Sequence, residues 1–313
     1  MTVEKIPIRR AQFDQVQRRT LLTGLLFISP AILGFFIFTL FPIVQSFYFS
    51  FTDYNILQSP LWIGVQNYKN LLKDEIFLLS IRNTLYMVLI GLPIHILFDL
   101  FVAFLLNTKV RGLSIFRTIF YLPSITPVVA GAVLWLWIFN GKVGLLNALL
   151  NWFNLPPVGW LTDPNWTKPA FILMGLWGGG QTILIYLAGL QDVSTELLEA
   201  AELDGAGIWA KTWSITLPTI SPVIFYTLVL NLIGYFQIFT EAWVLTAGRD
   251  NAGVGGPGNS LMFYAMYLYQ NAFQFFKMGY ASAEAWILLV IVLLATLVLF
   301  RTSGWVYYRG EQG

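Results

Sequence analysis

Long stretches without charge alternate with short charged ones along the whole chain. No charged residue occurs from Leu21 to Thr52, and apolar runs recur at about 83–107, 118–140, 169–190, 219–246 and 281–300. Each is close to the ~20 residues that a helix needs to cross the hydrocarbon core of a bilayer. The pattern predicts an all-α polytopic membrane protein with six transmembrane helices, the first at about 21–45, after a cytoplasmic N-terminal segment 1–20. The first charge-free stretch is far longer than the ~7–15-residue apolar core of a secretory leader, so an uncleaved span is expected. No 20–50-residue repeat and no linker divides the rest, which reads as one transmembrane domain over 21–313.

Helix breakers sharpen this outline. Pro30 and Pro42 are expected to kink or end the first span, while the third holds Pro123, Pro127 and Gly131. Such residues are tolerated at membrane depth where neighbouring helices satisfy the freed backbone groups, which places spans two and three inside a bundle. Tyr54 to Leu79 reads as an exposed loop with short helices, and Asn140 to Lys168 as an outside loop with one short interfacial helix. Gly248 to Ser260 is a glycine-rich turn, and the Tyr- and Phe-rich stretch Leu261 to Phe276 is expected to lie in the membrane interface.

Where the charges fall sets the orientation. One side collects Lys5, Arg9, Arg10, Arg18, Arg19, Lys109, Arg111, Arg117, Lys211, Arg301 and Arg309 in short or terminal segments. The other has Lys69, Lys73, Arg82, Lys142, Lys168, Arg249 and Lys277, spread over longer loops. The positive-inside rule then puts both termini, and the loop 191–217, in the cytoplasm. The acidic excess of that loop does not overturn the assignment, because carboxylates weigh little in the rule. A hydrophobic content of 57% with 11% charge excludes an ordinary soluble domain, and a net charge of +2 argues against nucleic-acid binding. The absence of cysteine removes disulfide and thiolate-metal chemistry.

The loop from Ser194 to Pro218 reads as a short docked helix. Ser194 suits the N-cap and Glu196 the first turn, and Gly205 suits the stop. Leu197, Ala200, Ala201 and Asp204 recur at helical spacing, with the two alanines leaving a surface that another backbone can approach closely. Leu217 and Pro218 are expected to open the next span, proline being tolerated at a helix start. By composition alone, a featureless turn between spans would also fit.

The order of residues is more specific. Glu199, Ala200, Ala201, Gly205, Ile215, Leu217 and Pro218 resemble, in identity and spacing, the EAA loop of importer-type ABC permeases, and the run Glu199 to Ala206 looks like their carbohydrate branch. Ser29 to Tyr54, followed by Asn67-Tyr68, resembles the opening of a sugar-permease subunit. The family often has Leu-Thr closely followed by Gly-Gly-Pro; here Leu245-Thr246 is separated from Gly255-Gly256-Pro257 by eight residues, AGRDNAGV. The resemblance implies a type I ABC importer permease fold in the plasma membrane of a prokaryote. It also implies that Glu199, Ala200, Ala201, Asp204, Gly205, Ile215, Leu217 and Pro218 serve coupling to an ATPase.

Candidate chemistry is sparse. Gly255 to Ser260 lacks the Lys-Ser/Thr of a phosphate-binding loop, so ATP hydrolysis and its magnesium are expected on a partner, with no cofactor on this chain. One histidine in the chain leaves no catalytic or metal cluster to assemble. His95 and Asp99 share a face of span two, as a proton relay or as a packing pair, with Asp99 otherwise near enough to the cytoplasmic side to reach water. Span five is the most polar: Asn231 and Tyr235 share one face, and Gln237 and Glu241 another. These side chains suit a neutral polyhydroxylated solute, or else join helices by hydrogen bonds. In span four, Gly178 to Gly180 allow close packing or unwinding around a ligand, with Gln181 as the polar contact.

The function expected is half of a translocation pathway for a sugar or polyol. The implied partners are a second permease subunit forming a heterodimer, two ATPase subunits and an extracytoplasmic solute-binding protein. Alternatives are a permease of the same build for glycerol phosphate or amino acids, and a secondary transporter coupled to protons through His95 and Asp99.

Overall fold

The computed structural model describes residues 10–108, 111–247 and 253–307, with side chains from Gln17 onward. Lys5, Arg9, Lys109, Arg249, Arg309, the start of the 1–20 segment and the middle of the 247–260 loop lie outside the described residues.

Besides a short helix at Gln66–Leu71, the helices in chain order are α1 (Gln17–Ser50), α2 (Glu75–Leu106), α3 (Leu113–Ile125), α4 (Val128–Ile138), α5 (Leu145–Trp152), α6 (Pro164–Trp177), α7 (Gly180–Gln191), α8 (Thr195–Leu203), α9 (Ile208–Thr246), α10 (Tyr264–Tyr269) and α11 (Met278–Trp305). Helices α1, α2, α9 and α11 are long and apolar enough to cross a membrane, and α3–α4 and α6–α7 bring the number to six when each bent pair is one span. The chain is thus an all-α polytopic bundle.

The prolines of α1 do not end it. A π turn at Phe36–Leu40 precedes Pro42, and the same arrangement recurs with Met87–Gly91 before Pro93 and Thr212–Thr216 before Pro218. Proline has no N–H to give the backbone ladder, and the wider turn absorbs the missing bond while the helix continues. Pro218 therefore lies within α9, which begins at Ile208 and not at Leu217. Helix α2 also begins earlier than expected, at Glu75, because Asp74 caps it: its Oδ1 accepts from the backbone N–H of Ile76 at 2.9 Å and of Phe77 at 3.1 Å.

The two bends follow from local chemistry. Helices α3 and α4 meet at 105° across Thr126-Pro127, where the residue before proline is held extended. Helices α6 and α7 meet at 52° across Gly178-Gly179.

Leu261 to Phe276 does not lie in an interface as its amphipathic pattern suggested. Leu261, Met262, Phe263, Tyr264 and Met266 are all buried in the core, and α10 packs between α2 and α11. Tyr264 donates to the backbone carbonyl of Glu284 at 2.7 Å, while Asn271 donates to Glu284 Oε1 at 3.0 Å. Tyr267 and Tyr280 both donate to Asp74 Oδ2, at 2.5 and 2.7 Å, tying this segment to the start of α2. Thr52-Asp53 and Leu61-Trp62 pair as a short antiparallel ladder that the hydrophobic pattern did not announce.

The buried side chains form two clusters. One surrounds Trp135, Phe139, Phe263 and Leu245; the other joins α2, α7 and α9 through Leu106, Ile183, Tyr186 and Ile220. Helix α1 has no residue of its most apolar window buried within the chain, while its end packs on α11, where Phe47 meets Trp286 edge-on at 4.8 Å and Ser46 Oγ accepts from Trp286 Nε1 at 3.2 Å.

Candidate translocation cavity and coupling loop

Helix α8 is built as its residues dictate. Ser194 Oγ accepts from the N–H of Leu197 at 3.4 Å, and Gly205 has φ +83°. Ala206 N–H reaches Ala201 O at 2.8 Å and Gly205 N–H reaches Glu202 O at 3.0 Å, the paired bonds of a Schellman stop. A Cβ at Gly205 would meet nothing within 4 Å, so the glycine answers the left-handed turn and no crowding within the chain. Glu202 accepts from Lys211 Nζ at 2.8 Å across the turn, a bond that holds its carboxyl below the ordinary value.

The loop's surface divides in two. Leu198, Ile215 and Leu217 pack against the chain's own core, so Ile215 and Leu217 anchor the loop; Pro218 is half-buried within α9. Glu199, Ala200, Asp204 and Gly205 are exposed, while Ala201 is half-buried. Beside them lie residues that the motif did not single out: Leu203, Ile208, Trp209 and Trp213, the first 90% exposed and the two tryptophans 77% and 67%. Two tryptophans in a polar loop were the available signal.

Between the spans lies a cavity of about 440 Å³. Helix α9 lines it with Asn231, Gly234, Tyr235, Gln237 and Glu241, the α3–α4 bend with Ser124 and Thr126, α6 with Phe171 and Trp177, and the α6–α7 bend with Gly178. Helix α2 adds His95. Five of the six residues expected on the pathway thus share one wall or its neighbour. The sixth, Gln181, is exposed and does not line the cavity, because α7 turns away after the bend. No Lys or Arg lines this space among the described residues, and Glu241 is its one carboxylate. A larger polar pocket of about 660 Å³, including Asp53, Lys73, Asp74 and Lys277, lies at the ends of the spans and not between them.

Asp99 does not reach water: it is fully buried. Its Oδ2 lies 3.0 Å from His95 Nε2, and His95 Nδ1 lies 2.9 Å from the Tyr235 hydroxyl. The Asp99 carboxyl abuts Gly179, where a Cβ could not fit, and Gly180 is packed against the backbone of Phe120 and Tyr121. The glycine run therefore serves close packing around the bend. Asn231 Nδ2 donates to Thr227 O at 2.9 Å, which leaves its Oδ1 as an acceptor. Among the described residues no cluster of His, Cys, Asp or Glu could hold a metal ion.

Comparison with known proteins agrees with this architecture. The chain is 42% identical to the probable ABC transporter permease protein YesP of Bacillus subtilis, over 94% of this chain and 95% of that one. It is 32% identical to the lactose transport system permease protein LacF of Rhizobium radiobacter, over 90% and 93%. Its fold matches a chain in the crystal structure of a bacterial ABC transporter involved in the import of the acidic polysaccharide alginate. There the TM-score is 0.80 at 26% identity, over 93% of this chain and 98% of that one. The bundle is thus a type I importer permease fold. Residues 96–308, which include most of the cavity wall but not His95, together with α8 and the span that follows it, match the profile of one transporter family. The chain belongs to that family, the binding-protein-dependent transport system inner membrane components.

Proposed function

We propose that this chain forms one half of the membrane pathway of an ATP-driven importer for a neutral saccharide or polyol. The observation that carries this reading is the cavity between α2, α4, α6 and α9. It combines amide, hydroxyl and aromatic groups with the imidazole of His95 and the carboxyl of Glu241, has no Lys or Arg among its described lining residues, and its volume is in the range of small-molecule sites. A lactose permease among the relatives supports a sugar as the solute, and the lack of Lys or Arg among the described lining residues disfavours glycerol phosphate.

The partners follow from what the chain lacks and exposes. A second permease subunit completes the pathway and two ATPase subunits supply the energy, holding ATP and magnesium outside this chain; a solute-binding protein delivers from outside. Helix α8 with Leu203, Trp209 and Trp213 offers an apolar, rigidly capped face for a groove on the ATPase. With both termini in the cytoplasm, that face is turned to the ATPase side. ATP binding draws the two coupling helices together and rocks the permease halves around the cavity; hydrolysis resets them.

Asn231→Ala and Tyr235→Phe, made in the assembled transporter, test the pathway. Each removes about one solute hydrogen bond, ~1 kcal/mol or roughly a fivefold loss of uptake efficiency, with assembly intact. Normal uptake by both variants would place the solute path elsewhere.

A further inference from the structure

Three polar groups from two helices meet at the cavity wall. Tyr235 and His95 line it, and Asp99 stands behind them, fully buried. Among the described residues, neither Asp99 oxygen, nor His95 Nε2, has a hydrogen-bond partner outside the 3.0 Å approach that joins Oδ2 to Nε2. The nearby Tyr186 hydroxyl is already paired with Thr227 Oγ1 at 2.7 Å. Among the described residues no Lys or Arg lines the cavity to neutralise a lone carboxylate.

A carboxylate left unpaired inside a membrane bundle is expensive, and groups so placed are kept as net-neutral pairs. Two arrangements keep Asp99 and His95 neutral together. In one, a carboxylate faces a doubly protonated imidazolium. In the other, the carboxylic acid donates to Nε2 of a neutral imidazole, whose remaining proton must sit on Nδ1. Both put a hydrogen on Nδ1, so both make His95 the donor to the Tyr235 oxygen at 2.9 Å. Only a negatively charged pair, with carboxylate and neutral imidazole sharing the Nε2 hydrogen, would reverse that bond.

We propose that the Asp99–His95 pair fixes Tyr235 as a hydrogen-bond donor aimed into the cavity, with the pair acting as positioning residues for solute recognition. One turn away on the same face, Asn231 gives one of its two amide hydrogens to Thr227 and keeps Oδ1 as an acceptor. The wall then presents a donor and an acceptor four residues apart. That couple matches neighbouring hydroxyls of a polyol, each of which both gives and takes a hydrogen bond. The inference rests on reading the cavity as the solute path, but the protonation of His95 can be read without any solute.

His95 is the only histidine in the chain, so selective ¹⁵N-histidine labelling gives one imidazole. The full-length chain, purified on a histidine-free tag and placed in lipid nanodiscs at neutral pH, is examined by ¹⁵N NMR, with His95→Gln as the assignment control. The expected spectrum has Nδ1 in the protonated class. Tyr235→Phe moves the Nδ1 resonance, and Asp99→Asn moves Nε2. An unprotonated Nδ1 in the wild type overturns the proposal; so does an Nδ1 that ignores Tyr235→Phe, or an Nε2 that ignores Asp99→Asn. If Asp99→Asn fails to fold, the wild type and Tyr235→Phe decide alone. Failure here leaves the pathway reading standing, whereas normal uptake by both Asn231→Ala and Tyr235→Phe would overturn that reading without altering the wild-type spectrum.

Discussion

Replacing Gly205 separates two roles that the coupling loop assigns to one residue. At φ +83° an L side chain is disfavoured by about 1–2 kcal/mol. No steric term adds to this within the chain, because a new Cβ would meet nothing within 4 Å. If the ATPase recognises α8 only in its Schellman-capped form, Gly205→Ala lowers the docking-competent population and weakens apparent affinity by about 5–30-fold. Asn, which tolerates the left-handed region, should cost less than Ala. Arg tests the second role: equal to Ala if only conformation matters, far worse if the ATPase surface lies against Gly205. ATPase binding to the nanodisc-held permease measures the series, and vesicle uptake reports coupling. Thermal melting should be unchanged, since the substitution touches no span. Wild-type binding and uptake in both Gly205→Ala and Gly205→Arg would refute the docking argument.

Four further substitutions test the bundle. Gly179→Ala forces a methyl group into the Asp99 carboxyl and should lower stability by about 1–3 kcal/mol in a thermal melt, whereas Gly178→Ala meets only an ordinary contact at 3.4 Å and should be tolerated. At Asp74, burial pushes the carboxyl up, but hydrogen bonds from Tyr267, Tyr280, Phe77 and Ile76 outweigh it and hold the carboxyl below its ordinary value. A depressed folded-state value means stability present above the unfolded carboxyl's ~3.9 and lost as pH falls through the folded value, so acid melting curves should lose this component in Asp74→Asn. Asp74→Asn keeps a capping oxygen while Asp74→Ala does not, a difference of about 1 kcal/mol in the same melts.

Local features were the most legible. Ser194 and Gly205 bound α8 because capping is decided by residues a few positions apart. Asn231, Tyr235, Gln237 and Glu241 were visible as polar exceptions in an apolar span, and they line one cavity. What depends on distant chain segments was not visible. The His95–Tyr235 contact joins residues 140 apart, and the burial of Tyr264 and Glu284 depends on α10 packing between α2 and α11. Pro42 and Pro218 misled for another reason: a π turn ahead of each lets the helix run on, and no residue type announces that turn. Gln181 was grouped with Gly178 by proximity, yet the 52° bend carries it away.

Energy coupling through α8 is the central claim, and uptake into sealed vesicles tests it most directly. The chain is reconstituted with a partner permease, an ATPase and a solute-binding protein, and uptake of the solute retained by that binding protein is followed with ATP on the ATPase side or with a proton gradient alone. The account predicts uptake that needs ATP and the ATPase and is indifferent to the gradient. Uptake driven by the gradient without ATP, and abolished by His95→Ala, would contradict it.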